Sequence, residues 1–214
     1  LIVYNLQNKN KLFVDLVSAQ SLHQILMPKL NDPYYRFLPP DVPNYYLHYY
    51  NARSSGQKLD LHIDSHFPFP GKRAIVMQTA FLLDDHHPDN GCTVVVPGSH
   101  QSGEFTDREL DHVKPVVARA GDWVMWDSRL WHGALGNTSR QSRWSLVATW
   151  GMWWIKPAMD ITRGLPDEIY RQLDDRQKQL LGFCCIPPHD EADRINTKVG
   201  YEALRPSVGD YYRS

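Results

Sequence analysis

Between residues 45 and 150 the chain is cut by turn residues into short runs of strand-forming residues, and this punctuation limits the fold more than any other feature. Tyr45 to Asn51 and Leu59 to Asp64 come first. Strand-like runs follow at Ala74 to Leu83, Thr93 to Val96, Val113 to Val117, Asp122 to Trp126 and Arg143 to Trp150. Ser54-Ser55-Gly56, the polar turn Asp84 to Gly91 and the pair Gly121-Asp122 separate them. Many short strands bounded by turn signals predict a layered β architecture.

The two ends read differently. Residues 12 to 30 carry helical spacing, with Leu12, Leu16, Leu22, Ile25 and Leu26 as the apolar stripe and Pro28 expected to end or kink the helix. Pro33, Pro39, Pro40 and Pro43 mark an irregular crossing. In the tail, Pro166 opens a helix that turns Ile169, Leu173, Leu180 and Leu181 to the core before Gly182. Residues 101 to 113 form a charged excursion. Strands flanked by helices predict a mainly β fold, a double-stranded β-helix (jelly roll, cupin-like) with a core at about 45–155. The 214 residues suit one domain, residues 1–214.

Composition excludes some partners. A net charge of -1 without a long Lys or Arg run gives no electrostatic reason to bind nucleic acid. No window approaches the roughly 20 apolar residues of a membrane span. Cys92, Cys184 and Cys185 make an odd set with two adjacent, a poor disulfide framework that favours a reducing cytoplasm. The start, Leu1-Ile2-Val3-Tyr4-Asn5, reads as a trimmed fragment. A monomer or a homodimer paired through sheet edges fits the chain.

Chemistry concentrates in two stretches. On a strand, His62, Asp64 and His66 would share one face, opposite Leu61, Ile63 and Ser65. Two imidazoles and a carboxylate on one face call for a partner, and His-x-Asp completed by a distant His is the facial set that holds non-haem Fe(II). The loop Ser65 to Arg73 lies directly beside it. Further on, Gly121-Asp122 launches a strand, and His132 follows near its far end. Arg143 and Ser145 share a strand face in an apolar setting, so the guanidinium needs an anion. Either a structural Asp or Glu or a dicarboxylic co-substrate would satisfy it.

These residues resemble the phytanoyl-CoA dioxygenase family of Fe(II)/2-oxoglutarate oxygenases. The likeness rests on His62-x-Asp64, Thr79-Ala80 followed by Asn90-Gly91-Cys92, Val95-Val96-Pro97-Gly98-Ser99-His100, Gly121-Asp122 and Leu130-Trp131-His132-Gly133. Asn137 and Arg143 follow at the family's spacing, and the blocks stand in the family's order. The resemblance implies His62, Asp64 and His132 as iron ligands and Arg143 with Ser145 as the clamp for the distal carboxylate of 2-oxoglutarate. It implies a dioxygenase acting on a small-molecule substrate with dioxygen, releasing succinate and CO2. The carboxylate of Asp64 favours hydroxylation over halogenation, since halogenating relatives lack it.

Other positions are open to two readings. Gln78 either bonds the co-substrate or substrate or fills the barrel, and His66 is either a substrate contact or a solvated loop residue. His86 and His87 fall in a polar turn and are expected at the surface, while His100 is a turn residue. Tyr49 and Asn51 lead towards the site. Lys72, Arg73 and Arg129 either meet an anionic group at its mouth or lie on the surface. Trp126, Trp131 and Trp153 line a pocket or fill the core. Two other functions compete. One is a non-catalytic jelly-roll binding protein; the other is a cupin-type metalloenzyme without 2-oxoglutarate, which leaves Arg143 unexplained.

Overall fold

The computed structural model describes residues 1–34, 41–54, 56–65, 68–105 and 111–183. Nine strands run in order: β1 (Ile2–Tyr4), β2 (Tyr45–Ser54), β3 (Leu59–His62), β4 (Val76–Leu82), β5 (Thr93–Val95), β6 (Lys114–Pro115), β7 (Trp123–Asp127), β8 (His132–Ala134) and β9 (Trp144–Met152). They form a five-stranded sheet, ordered β1-β2-β9-β4-β7, and a four-stranded sheet, ordered β3-β8-β5-β6. The pairs β1–β2, β4–β7, β3–β8, β5–β6 and β5–β8 are all antiparallel. This is the predicted double-stranded β-helix, and its helices lie at the two ends of the sequence. The chain divides into two compact units, Leu1–Tyr4 with Tyr50–Thr149, and Asn5–Tyr49 with Trp150–Ser214.

The first unit holds most of the strands. Alternation sets its inner face: Thr149 Oγ1 donates to Gln78 Oε1 at 2.6 Å, so Gln78 on β4 faces the same way as Thr149 and Ser145 of β9 and Arg143 just before it. Gln78 is paired across the ladder with Trp126 of β7, which turns Trp126 to that face as well. The Trp126 ring meets the His132 ring of the other sheet at 5.3 Å, so this face looks into the space between the sheets. The predicted Gly121-Asp122 turn locks β7 to β4. Gly121 adopts φ +92°, its N–H donates to Leu82 O at 2.8 Å, and Leu82 N–H donates to Asp122 O at 3.0 Å.

In the second unit the expected helix over 12–30 is two helices, α1 (Lys11–Val17) and α2 (Gln20–Leu30). Asn10 caps α1 by accepting the Leu12 N–H at 2.9 Å. The buried stripe is Leu22, Leu26 and Leu30, while Leu12 and Ile25 face solvent at 69% and 52% exposure. Pro28 lies inside α2 rather than ending it. The helix closes at Leu30, where Asn31 N–H donates to Met27 O at 3.0 Å, so the proline removes one bond near an end that frays anyway.

The tail forms three short helices, α3 (Ile161–Gly164), α4 (Asp167–Tyr170) and α5 (Asp175–Leu180), with Pro166 as the N-cap of α4. Ile169, Leu173, Leu180 and Leu181 are buried, as their spacing predicts. Polar bonds tie the tail to the N-terminal helices: Gln177 Nε2 donates to Asp15 Oδ1 at 2.8 Å, and Asn8 Nδ2 donates to Gly164 O at 2.9 Å. Trp153, expected in a pocket or the core, is part-buried and donates to Asp32 at 3.2 Å. No helix among the described residues is long and apolar enough to cross a membrane. His66, Cys184 and Cys185 lie outside the described residues, as does part of the 101–113 excursion.

His23 sits at the centre of this unit with no exposure. Its Nε2–H donates to Val17 O at 2.7 Å, so Nδ1 is the acceptor for the Tyr45 hydroxyl, also at 2.7 Å. Burial lowers its pKa from 6.5 to about 4, against the pull of the Val17 carbonyl. The native state then binds fewer protons than the unfolded chain between those values. The stabilisation is complete above pH 6.5 and lost as the pH falls towards 4. Denaturant unfolding of wild type and His23→Gln at pH 7 and pH 4.5 should show it. The acid loss should be smaller in the variant by about 2–3 kcal/mol.

Candidate metal centre

Cross-strand pairing brings the first two donors together. His62 ends β3 and lies directly opposite His132, which opens β8, with the ring centroids 4.4 Å apart. The approach requires Gly133. A Cβ there would lie 2.5 Å from Leu59 O, a distance no side chain tolerates, so any larger residue drives the strands apart.

Asp64 arrives by another route than strand alternation. β3 stops at His62, and the backbone bends. The N–H groups of Asp64 and Ser65 both donate to Ser128 O, at 2.9 and 3.0 Å. That shared carbonyl turns the carboxylate back on the imidazoles. Asp64 Oδ1 lies 3.5 Å from His62 Nε2, and Oδ2 lies 3.3 Å from His132 Nε2.

One ligand atom from each of His62, Asp64 and His132 lies within 4.8 Å of the others, a group that could hold a metal ion. Both imidazoles are preset for it. His62 Nδ1 bonds Asp60 O and His132 Nδ1 bonds Leu130 O, each at 2.9 Å, which leaves both Nε2 atoms facing the Asp64 carboxylate and available to a metal ion. Burial raises the Asp64 pKa, but the contacts with His132 and His62 outweigh it and hold the carboxylate well below its usual range. The Asp64 contact raises the His62 pKa against burial. Two neutral nitrogens and one anionic oxygen suit a divalent metal with open coordination positions.

Arg143 is 8% exposed, and no carboxylate among the described residues pairs with it. Its Nη1 donates towards Ser145 Oγ at 3.5 Å, and its Nε has no partner among the described residues. Of the two readings of its anion, a structural acid is therefore absent among the described residues. Gln78 is buried, with its carbonyl oxygen taken by Thr149, so its amide N–H groups are its remaining donors.

Several expectations change here. His86 is not a surface residue: it is 2% exposed, with Nε2 3.3 Å from Arg143 Nη1. His87 is half-buried beside it. Arg129 is also buried, at 2% exposure, and neither open to an anion nor on the surface. Its Nε and Nη2 grip the Asp127 carboxylate at 2.9 and 2.7 Å, and Nη1 donates to the carbonyls of Phe69 and Gly71 at 3.0 Å each. Asp127, Ser128 and Arg129 thus pin both ends of the loop beside the donors. Trp131 is buried, and its N–H donates to Ser99 Oγ at 2.9 Å, which gives the Pro97–His100 turn its structural role. Lys72 and Arg73 are exposed, as is Tyr49 at 39%. Asn51 accepts from Arg53 Nε at 2.7 Å. Sequence reasoning passed over Thr149, although its period-two spacing from Arg143 and Ser145 signalled the shared face.

A double-stranded β-helix that sets one histidine across a strand pair from another, with a carboxylate turned in from the adjoining bend, defines a class of jelly rolls that could hold a metal ion. The chain belongs to the phytanoyl-CoA dioxygenase (PhyH) family, whose model matches residues 3–145. It is 36% identical over 105 residues to an uncharacterised protein of Mycobacterium tuberculosis, covering 48% of this chain and 38% of that protein. With dioxygenase af480 of Aspergillus fumigatus it shares 29% identity over 141 residues, 63% of this chain and 46% of the relative. The chain thus spans less than half the length of these curated relatives. Among solved structures, HygX of Streptomyces hygroscopicus with nickel and 2-oxoglutarate bound shares the fold. The TM-score is 0.58 at 18% identity, over 73% of this chain and 71% of that one.

Gly133→Ala should separate β3 from β8 and weaken metal binding. Titration with Co(II), followed by its visible absorption, should give an affinity lower by about 10-fold or more, with the far-ultraviolet circular dichroism unchanged.

Proposed function

We propose that this chain is one Fe(II)- and 2-oxoglutarate-dependent dioxygenase domain that hydroxylates a small-molecule substrate. His62, Asp64 and His132 would hold the ferrous ion. Arg143 and Ser145 would bind the distal carboxylate of 2-oxoglutarate, with Gln78 donating an amide N–H from the neighbouring strand. The observation that carries the reading is the buried Arg143 guanidinium, paired with no acid among the described residues and lying on the same inward face as Trp126, whose ring meets His132. A permanent cation in such a place is unfavourable until an anion arrives. A metal-binding jelly roll without a dicarboxylate ligand gives that cation no counter-charge.

Iron with 2-oxoglutarate supplies the oxidation: the co-substrate and dioxygen yield succinate and CO2, and one oxygen atom enters a substrate C–H bond. The chain's own residues bind and orient. Asp60 O and Leu130 O fix the two imidazoles, Ser128 O fixes Asp64, and Arg129, paired with Asp127, holds the carbonyls of Phe69 and Gly71. A carboxylate at position 64 occupies the place a halide would need, which favours hydroxylation. The names of the dioxygenase relatives and the 2-oxoglutarate in HygX support the same reading.

Anaerobic addition of Fe(II) and 2-oxoglutarate should give a visible charge-transfer band, and oxygen should then release succinate; absence of both rejects the proposal. Asp64→Ala should abolish succinate formation by removing the anionic ligand. Arg143→Ala should raise the 2-oxoglutarate concentration needed for half-saturation by about 10–100-fold, the loss of a charge-assisted bond pair. Unchanged apparent affinity would remove Arg143 from the clamp.

A further inference from the structure

We propose that His86 is the positioning residue of the Arg143 clamp, a neutral imidazole that orients the guanidinium without cancelling its charge. The inference rests on the 2-oxoglutarate reading above and assigns a role within it. A guanidinium has donors only, so the 3.3 Å contact between Arg143 Nη1 and His86 Nε2 makes Nε2 the acceptor. The ring must then carry its proton on Nδ1 and no second one. A protonated ring would present a like charge and no lone pair.

The surroundings build this contact deliberately into the fold. His86 is held by a two-way backbone bridge, its N–H donating to Ala118 O at 2.8 Å and its C=O accepting from Ala118 N–H at 3.2 Å. Asn90 shapes the same turn from within. Its Oδ1 accepts the His87 N–H at 2.9 Å, and its Nδ2 donates to Asp85 O at 2.7 Å. The neighbouring acid, Asp84, is diverted: its Oδ2 accepts the Trp144 N–H at 2.7 Å. Burial and the Arg143 charge lower the His86 pKa to about 4, against the opposing pull of Asp84 and Asp85, so the ring stays neutral near pH 7.

A neutral acceptor here does what neither alternative can. An acid at position 86 would form an ion pair with Arg143 and occupy the charge meant for the ligand. An apolar side chain would leave a buried N–H unsatisfied and the guanidinium free to swing. The imidazole takes one donor and leaves the delocalised guanidinium charge, together with the Nε–H that has no partner among the described residues, for a carboxylate.

Two variants of equal reach separate these effects, His86→Gln as a neutral acceptor and His86→Glu as an anion. The 2-oxoglutarate affinity is read anaerobically from the Fe(II) charge-transfer band, and Co(II) absorption reports whether the metal centre is intact. His86→Gln should bind 2-oxoglutarate within about threefold of wild type, and His86→Glu about thirtyfold or more weakly, with unchanged metal affinity in both. Equal 2-oxoglutarate affinity in the two variants overturns the inference while leaving the oxygenase reading intact. A wild type with no band rejects that reading and this inference with it. Nitrogen-15 NMR of the wild type needs no variant. The His86 ring should be neutral with its proton on Nδ1 at pH 7, and an imidazolium or the Nε2–H tautomer overturns the proposal.

Discussion

The antiparallel contact of β3 with β8 is the constraint on which the rest of the structure depends. One register places His62 opposite His132, and a glycine without a Cβ lets the two backbones close. A shift of one strand by one residue would turn its imidazole to the opposite face of the sheet from the other. The flanking carbonyls of Asp60 and Leu130 then fix both rings, so the strands supply not only proximity but also the tautomer. Asp64 joins because the residues just before His132 also capture its backbone through Ser128 O. Two segments far apart in sequence therefore assemble the donors through main-chain bonds, which side-chain changes at the surface do not disturb.

Charge is distributed around this centre with a consistent logic. Each buried cation of the first unit is treated according to its task. Arg129 is fully spent on Asp127 and two carbonyls, and with its side chain over the Phe69 ring at 4.2 Å it acts as a clasp. The hydrogen-bond partners of Arg143 among the described residues are neutral, a histidine nitrogen and a serine hydroxyl, and the nearby Asp84 spends its carboxylate on the Trp144 N–H. Desolvation makes a cation without an acid partner unfavourable, and the same low dielectric strengthens its attraction for an anion, the dicarboxylate of the proposed function.

The fold and the candidate donor set were largely legible in the chain. Turn residues at 54–56, 84–91 and 121–122 bound the strands because a backbone reversal needs glycine or short polar side chains, a local requirement. Pro28 was legible as a disturbance but not in its outcome, since whether α2 stops before it or shortly after depends on what packs against Leu26 and Leu30. His86 was misread because a polar turn is usually solvated. Only the bridge to Ala118 and the side chain of Asn90 turn that one residue inward.

The sequence by itself determined the period-two alternation that puts Arg143, Ser145 and Thr149 on one face, and which three side chains stand as candidate metal donors. These are local or compositional facts, carried by spacing along one strand and by the chemistry of the side chains. Tertiary structure alone decided which buried charges are neutralised. Whether an arginine finds an acid, a carbonyl or a neutral ring depends on strands brought together from distant parts of the chain. Coulomb attraction and desolvation act through space, and no spacing along the sequence encodes them.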